Sequence, residues 1–142
     1  MHQAQDYLFK KTADLAEKNI ASADEMTIIS DASRLMRNDG VSSIIVTRDN
    51  NPIGIVTEKD ILYRVVANNI GPFKATLKDV MSSPLITIDG SSLVKDAIII
   101  MRKNNIRRMP VTKENKIVGM LTLRSIIGNS AESAIELPEV DV

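Results

Sequence analysis

A chain of 142 residues can form one domain, or two half-domains sharing a core, and a hydrophobic content of 44% is enough to build that core. Its 18 basic and 18 acidic residues cancel, so no global field draws it to nucleic acid or to an anionic membrane. There is no cysteine and the only histidine is His2, which excludes disulfides, thiol catalysis, zinc-thiolate sites and Ser-His or Cys-His catalysis; a reducing cytoplasm is the expected compartment.

Residues 1–12 read as an N-terminal segment. A short extended piece, Ile20-Ala21-Ser22, leads into a helix carrying Ile28, Ile29, Ala32, Leu35 and Met36 at helical spacing, and Gly40 stands where a left-handed residue would end it. Two β-branched runs follow, Ser43 to Thr47 and Ile53 to Thr57. The polar stretch Arg48-Asp49-Asn50-Asn51-Pro52 between them predicts a hairpin. A second helix starts at Thr57, with Ile61, Leu62, Val65 and Val66 as its apolar stripe, and ends in Asn68-Asn69-Ile70-Gly71-Pro72.

The same order then returns. Leu85-Ile86-Thr87 is extended, Val94, Ala97, Ile98 and Met101 mark a helix stopped by Asn105, and Met109 to Thr112 with Ile117 to Thr122 form a hairpin around Asn115. Gly128 is expected to cut the last helix short, and residues 130–142 read as an acidic, loose tail. The longest apolar run, Ala97 to Met101, is far too short to cross a bilayer, and the N-terminus has no apolar signal region.

The two passes superpose without a gap at a shift of 65 positions, which carries Gly54-Ile55-Val56-Thr57 onto Gly119-Met120-Leu121-Thr122 and Met36-Arg37 onto Met101-Arg102. A repeat of this length, present only twice, argues for a pseudo-twofold pair of strand-helix-strand-strand-helix units with a ligand cleft between them. The expected units are residues 13–72 and 78–129. Each is small and needs its twin. Ile99 and Ile100 lie off the core-facing stripe, and either fill the core within the chain or form an interface. A homodimer through the helix faces around Leu35, Met36, Ile98 and Met101 is the expectation that follows.

Two groups of residues could carry chemistry. Thr57-Glu58-Lys59-Asp60 stands where a buried strand becomes a helix. A threonine followed three residues later by a carboxylate is a capping box, which needs no ligand. The same geometry suits a nucleotide, with the hydroxyl and amide hydrogens meeting a phosphate and the carboxylate accepting from the vicinal hydroxyls of a ribose. Arg107-Arg108 is either a solvated strand edge or a phosphate fork.

With Asp79-Val80-Met81 followed by Thr87-Ile88, with Ile106-Arg107-Arg108-Met109-Pro110-Val111, and with Gly54 to Asp60, the chain from about Ala13 to Gly128 resembles the cystathionine-β-synthase (CBS) domain family in its tandem form. The resemblance implies an α+β fold of two β-α-β-β-α units packed through their sheets, commonly paired as a disc-like dimer. It also implies regulatory sensing of an adenosyl ligand: AMP, ADP or ATP, with S-adenosylmethionine or dinucleotides in some members.

Carried over residue by residue, the resemblance gives Thr57 and Asp60 the phosphate and ribose, sets Ile55 and Ile86 beside the adenine, and makes Arg107 with Arg108 the neutralising charges. A second, weaker cleft would use Ala21, Ser42, Ser43, Thr122 and Ser125, where Ser125 replaces the aspartate and serines replace the arginines.

The chain is therefore expected to be a non-catalytic, cytoplasmic energy-sensing module that binds an adenine nucleotide and signals to an effector protein, without nucleic acid, membrane or metal. The alternatives are an association module whose clefts bind nothing and, more weakly, an enzyme, for which no nucleophile-base pair or metal cluster appears. A nucleic-acid role would rest on Arg102, Lys103, Arg107 and Arg108, almost without aromatic residues among them.

Overall fold

The structure is a computed structural model that describes residues 3–130. It forms two compact units, one of residues 19–86 and the other joining the residues up to Lys18 to those from Thr87 onward. Each unit holds one three-stranded mixed sheet, so the fold is α+β. The expected tail beyond residue 130 lies outside the described residues.

In the unit of residues 19–86, β1 (Ser22–Asp24) pairs in parallel with β2 (Ser43–Arg48), which pairs antiparallel with β3 (Asn51–Thr57). Between β1 and β2 runs α2 (Ile29–Asp39), which buries Ile29, Ala32 and Met36. That face packs into one cluster with Ile44, Val46, Val56, Val65, Leu77 and Val80. Strand β2 is buried on both faces, since Ile45, which points away from Ile44 and Val46, is also buried. Arg48 donates to both carboxylate oxygens of Glu25 at 2.8 and 3.0 Å, and this fork holds the Glu25 carboxyl below its usual range.

The other unit repeats the plan. Strand β4 (Ile88–Asp89) pairs in parallel with β5 (Arg108–Lys113), β5 pairs antiparallel with β6 (Lys116–Thr122), and α5 (Val94–Asn104) buries Val94, Ala97 and Met101. The stops fall where the sequence puts them. Gly40 at φ 67° and Asn105 at φ 54° are both left-handed, and their N–H groups close α2 and α5 onto the carbonyls of Met36 and Arg37, and of Met101 and Arg102. Both hairpins turn on two residues of positive φ, Asp49-Asn50 and Glu114-Asn115, the mirror-image turn that matches strand twist.

Several expectations change. The parallel strands start later than Ile20 and Leu85, because β1 finds partners on β2 only from Ser22 and β4 on β5 only from Ile88. The helix after β3, α3 (Glu58–Ile61), widens into a π-helical turn over Leu62–Val66, which leaves Leu62 and Val66 exposed and only Val65 fully buried. Gly128 does not cut the last helix, as α6 runs over Leu123–Ser130. Met36 and Met101 are buried in their own units and offer no surface to a partner.

Three short helices were not foreseen: a 3-10 helix over Gln3–Phe9 and two single α-helical turns, of which the two turns organise the fold. Helix α1 (Thr12–Leu15), at the opening of the first repeat, belongs to the compact unit that holds the rest of the second; α4 (Leu77–Val80), at the opening of the second repeat, belongs to the unit that holds the rest of the first. The docking is the same in both. Ser82 exchanges backbone hydrogen bonds with Ile55 at 2.9 and 3.1 Å, and Glu17 exchanges them with Met120 at 2.8 Å each way. Directly before these residues stand Gly54 and Gly119. A Cβ on Gly54 would lie 2.8 Å from the Ser82 carbonyl oxygen and one on Gly119 would lie 2.9 Å from that of Glu17, so neither site has room for a side chain.

Gly54→Ala and Gly119→Ala should therefore each lower stability in urea unfolding by roughly 1–3 kcal/mol, because the atom met is backbone and must be displaced. Gly128→Ala meets nothing within 4 Å. It should raise stability by about 0.5–1 kcal/mol through helix propensity.

Candidate functional site

The structure brings Thr57 and Asp60 together as a complete capping box. The Thr57 N–H donates to Asp60 Oδ2 at 2.9 Å, the Thr57 hydroxyl donates to the same oxygen at 3.1 Å, and the Asp60 N–H donates to Thr57 Oγ1 at 3.3 Å. The Glu58 N–H is also engaged, donating to the Ser42 carbonyl at 3.1 Å. Three amides at this helix start, those of Thr57, Glu58 and Asp60, are thus already engaged within the chain. The other carboxylate oxygen, Asp60 Oδ1, lies 3.8 Å from Arg64 Nε. Arg64 also donates from Nη1 to the Val80 carbonyl at 2.8 Å.

The remaining residues of the first expected site divide between the units. Ile55 is half-buried in β3 and tied to Ser82, and Ile86 is half-buried where its unit ends. Arg107, exposed, and Arg108, half-buried at the start of β5, belong to the other unit, where Arg108 pairs in register with Thr122.

The residues of the second expected site divide in the same way. Ala21 and Ser43 are buried, with the Ala21 carbonyl accepting from the Ile45 N–H and Ser43 paired with Thr57. Thr122 and Ser125 cap α6 as Thr57 and Asp60 cap α3. The Thr122 N–H donates to Ser125 Oγ at 2.9 Å, the Ser125 N–H to Thr122 Oγ1 at 2.9 Å, and the Ser125 hydroxyl to the Thr122 carbonyl at 3.0 Å. A hydroxyl, buried and satisfied, stands where the first repeat holds a half-buried carboxylate. The two caps are equal as structure and unequal as chemistry: only Asp60 presents a second anionic oxygen.

Sequence reasoning missed Arg64 and Ser82. The signal for Ser82 was available, since it falls on Glu17 in the repeat shift. Arg64 gave none, because its contact to residues 80 and 81 depends on where α4 docks. Among the described residues no group of three or more His, Cys, Asp or Glu could hold a metal ion, and no helix is long and apolar enough to cross a membrane.

The family model of the CBS domain matches residues 13–67 and 77–132. An uncharacterized protein of Methanopyrus kandleri is 28% identical over 116 residues, which cover 80% of this chain; the chain spans 59% of that relative's length. Among solved structures, a conserved protein of Pyrococcus horikoshii superposes with a TM-score of 0.81 at 25% identity, covering 92% of this chain and 98% of that one. A CBS domain protein of Pyrobaculum aerophilum, solved as a complex with AMP, gives 0.72 at 29% identity over 81% of this chain and 88% of its own.

Because both caps are complete without a ligand, Thr57→Ala and Thr122→Ala should each destabilise the free protein by about 0.5–2 kcal/mol in urea unfolding. Ser125→Asp should be tolerated within about 1 kcal/mol, since it installs the cap of the first repeat.

Proposed function

The chain belongs to the CBS domain family, and on that premise we propose that it is a non-catalytic regulatory module. It binds an adenosine-containing ligand, AMP, ADP or ATP, and passes its occupancy to an effector protein. The observation that carries this reading is the AMP complex of the P. aerophilum protein, 29% identical and matched over most of both chains. The residues of this chain supply suitable chemistry. Asp60 keeps one carboxylate oxygen on its cap and turns the other, Oδ1, to the ribose hydroxyls. Ile55 and Ile86 flank the adenine. The Thr57 hydroxyl, a rotor, redirects its proton from Asp60 to the phosphate, and Arg107 and Arg108 meet the phosphate charge.

Output follows linkage: the ligand shifts a conformation or an association only by its difference in affinity for the two states. One association we propose is a homodimer. In the first unit Leu62, Tyr63 and Val66 are more than half exposed on one short helix, and in the second Ile99 is 60% exposed, which is more apolar helix surface than a lone module needs. A second reading, an association module without a ligand, is favoured by the internal completeness of the Thr57-Asp60 cap.

Titration calorimetry separates the two. AMP and ATP should bind the wild type, and Asp60→Ala should weaken AMP, ATP and adenosine alike by about tenfold or more, the loss of a charged hydrogen bond. Arg108→Ala should weaken AMP and ATP far more than adenosine, and ATP should be recovered unhydrolysed. Equal AMP affinity in the wild type and Asp60→Ala would reduce the site to a helix cap.

Oligomeric state is read by light scattering during gel filtration. We expect a dimer at tens of micromolar, the range of ordinary interface affinities, and a monomer for the Leu62→Glu, Val66→Glu double variant. A wild-type monomer would remove the pairing.

A further inference from the structure

We propose that Arg64 is a positioning residue for the nucleoside: it touches no ligand, but fixes the Asp60 carboxylate relative to the Val80–Ser82 backbone. This rests on the proposed ligand reading and assigns a determinant of affinity beyond it. Four contacts close a ring within the unit of residues 19–86. From β3, Thr57 leads through its cap to Asp60. Asp60 Oδ1 faces Arg64 Nε at 3.8 Å, and Arg64 Nη1 donates to the carbonyls of Val80 at 2.8 Å and Met81 at 3.4 Å. Ser82, the next residue, returns to β3 through its paired hydrogen bonds with Ile55. The ring therefore joins the proposed ribose acceptor to Ile55, on the proposed adenine side.

The magnitudes indicate how Arg64 acts. At 3.8 Å and half-exposed, the Arg64-Asp60 pair contributes little by itself. The strong anchor is the hydrogen bond from a charged donor to the Val80 carbonyl, at the end of α4. Arg64 is thus held by the docked segment and presents its Nε to the carboxylate, which leaves Oδ1 directed without being covered. The second repeat gives an internal control. In the repeat shift, position 60 falls on Ser125 and position 64 on Asn129, so the carboxylate and the cation are absent together.

The test uses the full chain, with AMP, adenosine and 2′,3′-dideoxyadenosine as probes in titration calorimetry. Arg64→Gln should weaken AMP and adenosine by about three- to tenfold, the effect of one lost charged contact acting indirectly. It should change dideoxyadenosine, which lacks the vicinal hydroxyls, by less than about twofold, the error expected of independent sites. Arg64→Lys, which keeps a cationic donor, should recover part of the loss, and Arg64→Asn, which copies the second repeat, should match Arg64→Gln. In a double-mutant cycle the effects of Arg64→Gln and Asp60→Asn should be strongly non-additive.

Amide hydrogen exchange at Ile55 and Ser82 should quicken in Arg64→Gln. Unchanged AMP affinity in Arg64→Gln, or additive effects with Asp60→Asn, overturns the proposal even while Asp60→Asn weakens AMP. If Asp60→Asn itself binds AMP as the wild type does, the ligand reading fails and the proposal fails with it.

Discussion

Everything in this chain hangs on two places where backbone meets backbone with no side chain between. At Gly54 and at Gly119 a docked segment comes so close that a single methyl would strike its carbonyl oxygen. That approach lets Ser82 pair with Ile55 and Glu17 with Met120, so the outer strand of each sheet, which otherwise presents unpaired groups, gains one bonded partner. The partner comes from the opening residues of the opposite repeat. Neither repeat can complete its sheet from its own consecutive residues, and the compact units accordingly interleave along the sequence. A β-bulge supports the same contact in both hairpins, since the register slips by one residue at Val46/Thr47 and again at Val111/Thr112, immediately beside the glycines.

Docking also explains why the helix caps matter beyond their local energy. The residue that closes β3, Thr57, opens α3, and the residue that closes β6, Thr122, opens α6. Strand and helix join with no loop, so the direction of each helix is fixed by one hydroxyl and the residue three places on. A carboxylate serves that purpose in one repeat and a hydroxyl in the other. They differ in what is left over, because the serine spends its one proton on the Thr122 carbonyl while the aspartate retains an oxygen. Structural need therefore leaves the identity of this residue open, and chemistry can choose it.

Much of this was legible in the sequence. The turns and caps were readable because each depends on one or two residues with a special conformation, such as Gly40, Asn105, Asp49-Asn50 and Thr57 with Asp60. The α2 stripe was readable because Ile29, Ala32 and Met36 follow the helical period. The four-residue helices α1 and α4 were not, since one turn is too short to show a period and their stability comes from docking. The widened turn at Leu62–Val66 shifted which side chains are buried, and period alone could not foresee it. Within the candidate site the sequence supplied residues and not directions: it paired Thr57 with Asp60, but could not tell that the Glu58 N–H would be taken by the Ser42 carbonyl.

The repeats agree at positions of one physical kind. Agreement falls on what the backbone requires: the docking glycines Gly54 and Gly119, the cap threonines Thr57 and Thr122, and the left-handed stops Gly40 and Asn105. Among the differences are four exposed or half-exposed residues that follow Thr57, where Asp60, Leu62, Tyr63 and Arg64 answer to Ser125, Ile127, Gly128 and Asn129. A charge is not required of the cap as such, because Ser125 performs it on α6 with a hydroxyl. A carboxylate with one oxygen left over, a cation held by a docked segment and two exposed apolar side chains therefore follow the strand of one repeat, where the other carries a hydroxyl, an amide, an isoleucine and a glycine.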